Sequence, residues 1–184
     1  MIKLQELNIQ YCDGMREVFE TERINKSVSM LKLTNLKILR IEHCDLLENI
    51  FTFSTLETLG QLEELTIKWC NSMKVIVKEE EDASSSSSKV VVFPRLKYIT
   101  LFRLPELVGF FLGMNEFQWP ALDVLDIYDC PKMKAFTAGG LKAPQLKYEE
   151  THHELDKHTP ERAFNSHVTT TPSGLHPEVY LFHI

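Results

Sequence analysis

One sixteen-residue pattern recurs five times along the chain without a gap, and no other feature restricts the possible folds as much. The copies are LQELNIQYCDGMREVF from Leu4, LKILRIEHCDLLENIF from Leu36, LEELTIKWCNSMKVIV from Leu62, LKYITLFRLPELVGFF from Leu96 and LDVLDIYDCPKMKAFT from Leu122. Successive starts lie 32, 26, 34 and 26 residues apart, so shorter and longer units alternate. A fixed register over five copies means that each unit builds the same substructure and rests on its neighbours.

The aligned columns carry the physical content. Leu7, Leu39, Leu65, Ile99 and Leu125 form one column, and Ile9, Ile41, Ile67, Leu101 and Ile127 form another two residues on. That spacing places both columns on one side of an extended strand. Met15, Leu47, Met73, Leu107 and Met133 make a third apolar column, and Val18, Ile50, Ile76, Phe110 and Phe136 a fourth. The pattern LxxLxLxxC followed by xxL is that of a leucine-rich repeat. The expected fold is an α/β leucine-rich-repeat solenoid, a horseshoe with short parallel strands on its concave face and loops or short helical turns on its convex face. Each unit offers roughly five apolar side chains, and burying one stabilises by about 1.5–3 kcal/mol before ordering entropy is subtracted. Stacking is what makes the sum favourable.

Cys12, Cys44, Cys70 and Cys130 share one column, with Leu104 as its fifth member. A position that accepts leucine wants an apolar group, so buried free thiols are expected rather than a metal site, which would need clustered ligands such as CxxC.

The domain is expected to cover residues 1–150, with units starting near 4, 36, 62, 96 and 122 and a decayed sixth at 146, where Glu149 and Thr151 replace the core aliphatics. Residues 78–89, KEEEDASSSSSK, read as an acidic, serine-rich insert with nothing to bury. Residues 151–184 hold six of the seven histidines in no metal-binding spacing and read as a polar tail without fixed structure. Proline precedes the later strands at Pro94, Pro120 and Pro144 and favours extended geometry in the residue before it. Gly139-Gly140 is expected in a turn between units. Leu4 enters the first strand without a polar capping unit, which suggests the end part of something larger.

The net charge of −6 argues against a nucleic-acid binder. No apolar run reaches the roughly 18 residues a membrane span needs, and no secretory signal is evident, so the cytoplasm or nucleus is the expected location. There is no nucleophile elbow, no phosphate-binding loop and no dinucleotide fingerprint, so neither enzymatic activity nor a cofactor or metal is expected.

What remains is the face between the core columns. It carries Trp69, Tyr98, Phe102 and Tyr128 in neighbouring rows, with Arg40, Lys68 and Arg103 beside them and Asp126 towards the far end. Exposed aromatics among charges are the usual composition of a protein-binding hot spot, and these eight residues are the candidate partner-binding set.

Several segments resemble the C-terminal leucine-rich repeats of plant coiled-coil nucleotide-binding disease-resistance proteins, of the lettuce-type group. They are the steps Cys70-Asn71-Ser72-Met73 and Cys130-Pro131-Lys132-Met133, the run from Val91 to Lys97, Leu104-Pro105-Glu106-Leu107, Gly109 to Gly113, Phe117-Gln118-Trp119-Pro120, and Ala143 to Tyr148. The resemblance covers roughly residues 1–150. It implies an intracellular immune role in which the repeats sense pathogen effectors, or host proteins that effectors modify, and restrain a nucleotide-binding module. The 184 residues contain no such module, so ADP or ATP binding is not expected of them. Two other expectations stand beside this one: the substrate-receptor repeats of an F-box ubiquitin ligase, and a nonfunctional repeat fragment.

Overall fold

The computed structural model describes residues 4–19, 33–79 and 90–146, together with the backbone of short strands at 148–152, 166–167 and 180–181. Among the described residues of the repeat region eleven strands follow one another: β1 (Glu6–Gln10), β2 (Ile38–Glu42), β3 (Phe51–Thr52), β4 (Glu64–Lys68), β5 (Val77–Lys78), β6 (Val90–Val92), β7 (Tyr98–Phe102), β8 (Glu116–Gln118), β9 (Val124–Tyr128), β10 (Leu141–Lys142) and β11 (Tyr148–His152).

One long sheet has the order β1-β2-β4-β7-β9-β11, parallel throughout. Its register is the one the sequence columns demand: Leu7, Leu39, Leu65, Ile99 and Leu125 oppose one another in line, as do Ile9, Ile41, Ile67, Leu101 and Ile127. Period-two alternation sends both rows to one side, where the aliphatics of β2, β4, β7 and β9 are buried. In β1, which among the described residues pairs with β2 alone, Leu7 and Ile9 are half-buried and pack against the same core. The decaying sixth unit nevertheless supplies a strand, so the sheet extends to His152.

Two tight turns per unit carry the chain away from the sheet and back to it. After each strand, the N–H of Met15, Leu47, Met73, Leu107 or Met133 donates to the carbonyl three residues earlier, at Cys12, Cys44, Cys70, Leu104 or Cys130. This turn explains why the third apolar column follows the cysteine column at that spacing. Before the strands, Leu36, Leu62, Leu122 and Leu146 donate in the same way to Leu33, Leu59, Trp119 and Ala143. The last two of these acceptors precede Pro120 and Pro144, whose fixed φ suits such a turn.

The side opposite the long sheet departs from the expected loops and short helical turns. A 3-10 helix does occur, at Phe53–Thr58. The rest is organised by two further parallel ladders. One joins β3 to β5 and continues through the bridges Val75–Gly109 and Phe111–Thr137. The other is the sheet β10-β8-β6. The cause is composition: Val90–Val92, Phe51 and Phe117 are strand formers placed so that each unit stacks on the next. Gly109 is required at its bridge, because a Cβ there would stand 2.6 Å from the Ala135 carbonyl oxygen. Gly140 adopts φ +105°, a left-handed turn between units, as its Gly-Gly sequence suggested.

Between the ladders lies an aromatic core. Trp119 is fully buried, with Phe93, Phe110, Phe117 and Phe136 packed around it at ring separations of 5.1–6.0 Å. Cys44, Cys70 and Cys130 are buried and free, and Cys12 is half-buried and free. Each thiol points to a carbonyl two residues back, as Cys70 Sγ does to Lys68 at 3.4 Å. Burial pushes the Cys44 thiol up, Cys130 up to about 11 and Cys70 up to about 12.

Of the insert at 78–89, Lys78 lies in β5 and Glu79 follows it; the remainder falls outside the described residues. So does most of the tail, in which the backbone at Ser166–His167 pairs antiparallel with Tyr180–Leu181.

Candidate recognition surface

The outward row at the start of each strand reads Glu6, Ile38, Glu64, Tyr98, Val124; the middle row Asn8, Arg40, Thr66, Thr100, Asp126; and the last row Gln10, Glu42, Lys68, Phe102, Tyr128. All eight candidate residues therefore lie on one side of the sheet or at its rim. Lys68, Phe102 and Tyr128 oppose one another directly across β4, β7 and β9, and Trp69 and Arg103 both contact the Phe102 ring, while Tyr98 and Asp126 oppose residues outside the set and Arg40 stands on β2.

A further column lies just past the strands: Tyr11, His43, Trp69, Arg103 and Asp129. All five adopt left-handed backbone, with φ between 52° and 54°. L-residues other than glycine pay for that conformation, and it persists only where the surroundings fix it. Here the fixing groups are visible. The N–H of Tyr11, His43, Trp69 and Arg103 each donates to the last strand carbonyl of the next unit, at Glu42, Lys68, Phe102 and Tyr128. The left-handed residue then redirects the chain into the turn at the cysteine column.

This geometry piles side chains along the rim. The Tyr11 ring stacks on His43 at 4.7 Å, His43 on Trp69 at 4.6 Å, Trp69 meets Phe102 edge-on at 5.3 Å, and Phe102 stacks on Tyr128 at 5.0 Å. Five rings from five consecutive units form one unbroken file. Arg103 holds the place where another ring would stand, so the file steps back one residue to Phe102. Arg103 covers that ring instead, 5.5 Å from its centroid, while Lys68 lies 6.0 Å from Trp69. Tyr11 is 71% exposed and Tyr98 46% exposed; His43, Trp69, Phe102 and Tyr128 are half-buried by one another.

Sequence reasoning left Tyr11 and His43 out of the candidate set, although both belong to the file. Their signal was the column immediately before the cysteines, which reads Tyr, His, Trp, Arg, Asp.

The charged outward side chains of β1, β2 and β4 pair with one another. The Arg40 guanidinium spans two neighbours, donating twice to Glu64 at 2.8 and 2.9 Å and once to Glu6 at 2.7 Å. The Glu64 hydrogen bond chiefly holds the Arg40 pKa above its ordinary value. Lys68 reaches Glu42 at 3.9 Å. Thr66, although in the outward middle row, is buried beside this network and donates to Glu64 at 3.3 Å. Away from this face, Lys74–Glu48, Lys97–Glu63, Lys132–Glu106 and Lys142–Glu116 likewise join adjacent units.

Among the described residues no group of three or more His, Cys, Asp or Glu is placed to hold a metal ion, and no helix is long and apolar enough to cross a membrane. The tail histidines have no described side chains.

Neither the curated proteins nor the solved structures contain a significant match to the chain. The family model described as plant disease resistance protein RPS2-like, leucine-rich repeats, matches residues 23–139, which is well over half of the sequence and spans units two to five. The register of the long sheet and the column pattern are those a leucine-rich repeat requires. The chain belongs to the RPS2-like leucine-rich repeats of plant disease resistance proteins.

Proposed function

We propose that the chain recognises other proteins through the outward side of its long sheet. The observation that carries this reading is the ring file from Tyr11 to Tyr128, half-exposed along one rim and flanked by Lys68 and Arg103. Pre-stacked rings lose little entropy on contact and offer broad amphipathic area, which is the composition of interaction hot spots. The sheet then lines the concave side of a horseshoe. The family supports a role in pathogen recognition. In this reading the repeats are the sensing and restraining part of an intracellular immune receptor of the coiled-coil nucleotide-binding type, lettuce-like, acting in the cytoplasm or nucleus. Their partner is a pathogen effector or a guarded host protein, and within the receptor they contact the nucleotide-binding module. The repeats bind neither nucleic acid nor membrane, perform no chemistry and need no cofactor.

The test uses the whole chain as immobilised bait in extracts of infected plant tissue. Trp69→Ala with Phe102→Ala keeps the circular dichroism of the parent and loses the captured protein, while Glu57→Gln, on the 3-10 helix, retains it. Equal capture by the double variant sinks the proposal. An unfolded double variant assigns the rings to the core.

A further inference from the structure

The free edge of β1 is complementary to itself. The Gln5 carbonyl accepts from Lys37 and Ile38, and the Tyr11 N–H donates to Glu42, so both residues turn their backbone towards the second unit. Backbone groups alternate sides along a strand. Leu7 and Ile9 therefore also bond towards β2, and the N–H and C=O of Glu6, Asn8 and Gln10 point to the other edge. Among the described residues no strand pairs with that edge. The apolar side beneath it is open as well. Leu4 is 43% exposed and Leu7 and Ile9 are half-buried, whereas their counterparts Leu36, Leu39 and Ile41 in the second unit are 0% exposed.

We infer that β1 pairs antiparallel with β1 of a second copy of this chain, about a two-fold axis beside Asn8. This goes beyond the recognition reading, since it assigns a separate edge and a defined partner. In that register Asn8 opposes Asn8, and Glu6 and Gln10 oppose each other across the axis. Every N–H and C=O that Glu6, Asn8 and Gln10 turn to the free edge then meets its complement. Sliding the pairing by two residues either way leaves one of the three without a partner. On the core side Leu7 opposes Ile9, and the two half-open apolar sides close over each other. On the outward side Glu6 is the one charged side chain of β1; Arg40 already holds it at 2.7 Å, and it stands opposite an amide rather than another carboxylate. Asn8 faces its own copy, and two amides can donate and accept mutually. An open edge strand is a template for pairing unless lysine or proline blunts it, and β1 carries neither.

Sedimentation velocity of the whole chain over a wide range of concentration reads the association. The sedimentation coefficient rises with concentration towards that of two chains, and Glu57→Gln leaves this unchanged. Asn8→Pro removes an N–H that the pairing with β2 does not use, at an edge position that tolerates proline. It keeps the circular dichroism of the parent and weakens association about ten-fold or more. Asn8→Lys leaves the backbone intact and sets two ammonium groups together on the axis. It too weakens association about ten-fold, added salt restores part of the loss, and it decides the matter if the proline variant does not fold. Asn8→Cys tests the register. Hydrogen-bonded antiparallel partners stand about 5.5 Å apart at Cα, within disulfide range, so oxidised glutathione links this variant into dimers faster than the parent. A chain that stays single at every concentration overturns the inference and leaves the edge to a parallel strand of another protein. Association that survives both Asn8→Pro and Asn8→Lys, or Asn8→Cys cross-linking no faster than the parent, overturns it as well.

Discussion

The His43 imidazole lies almost flat on the Trp69 indole, with centroids 4.6 Å apart and planes 8° from parallel. Its other side meets Tyr11, so His43 is the link through which the first unit joins the ring file. Each such pair contributes about 0.5–1.5 kcal/mol beyond burial. His43→Asn keeps a residue that tolerates left-handed backbone and removes only the stacking. It lowers unfolding stability by about 1–2 kcal/mol, and a double-mutant cycle with Trp69→Asn shows coupling. Strict additivity in urea unfolding means that the stack contributes no energy.

The left-handed column makes a different prediction at Arg103, where φ is +53°. A β-branched side chain suffers most in that region. Arg103→Val costs about 1–2 kcal/mol more than Arg103→Gly, because glycine enters the same conformation freely. Equal urea midpoints for the two variants would show that the turn relaxes.

The cysteine column predicts a pH dependence. Above the ordinary thiol value of 9.0 the unfolded chain releases these protons, while the folded chain keeps them on Cys130 to about 11 and on Cys70 to about 12. The folded state then binds more protons than the unfolded state, so this stabilisation is complete below pH 9 and is lost as pH rises towards 12. Urea unfolding at about pH 8 and about pH 10.5 gives a lower midpoint at the higher value, and Cys70→Ala reduces the difference. In the native chain, iodoacetamide modifies half-buried Cys12 well before Cys44, Cys70 or Cys130.

Trp119 separates packing from polarity. Its ring is enclosed by phenylalanines, yet its indole N–H has no hydrogen-bond partner among the described residues. An unsatisfied buried donor costs about 1–3 kcal/mol. Trp119→Phe removes that donor along with some volume and changes stability by less than about 1.5 kcal/mol, whereas Trp119→Ala opens a cavity and costs about 3–5 kcal/mol. Thermal melts of the two variants check the contrast.

The register of the long sheet was legible because Leu39, Leu65, Ile99 and Leu125, and the isoleucine column beside them, repeat at a strand's own period and have no other way to be buried together. The side bearing Trp69, Phe102 and Tyr128 followed from the same alternation. Three things did not follow. The file's step from Trp69 to Phe102 depends on a left-handed φ that no residue in that column advertises, since Tyr, His, Trp, Arg and Asp share no turn chemistry. Thr66 lies in the outward row yet is buried beside the Arg40–Glu64 pair, a contact that alternation does not announce. The short strands opposite the long sheet were passed over because two or three residues carry too little periodicity to read, although Val90–Val92, Glu116–Gln118 and Leu141–Lys142 all stand directly before an X-Pro step.

Those short strands grade the molecule from end to end. The coils of units three to five are fastened to their neighbours along three separate rows of backbone bonds, whereas β1 meets the rest through the long sheet and a half-buried apolar side. Slow hydrogen exchange should therefore concentrate between about Val90 and Lys142. Local opening should reach the singly fastened β1–β2 pairing before the triply fastened units, leaving the Tyr98–Tyr128 surface in working order after that pairing has come loose.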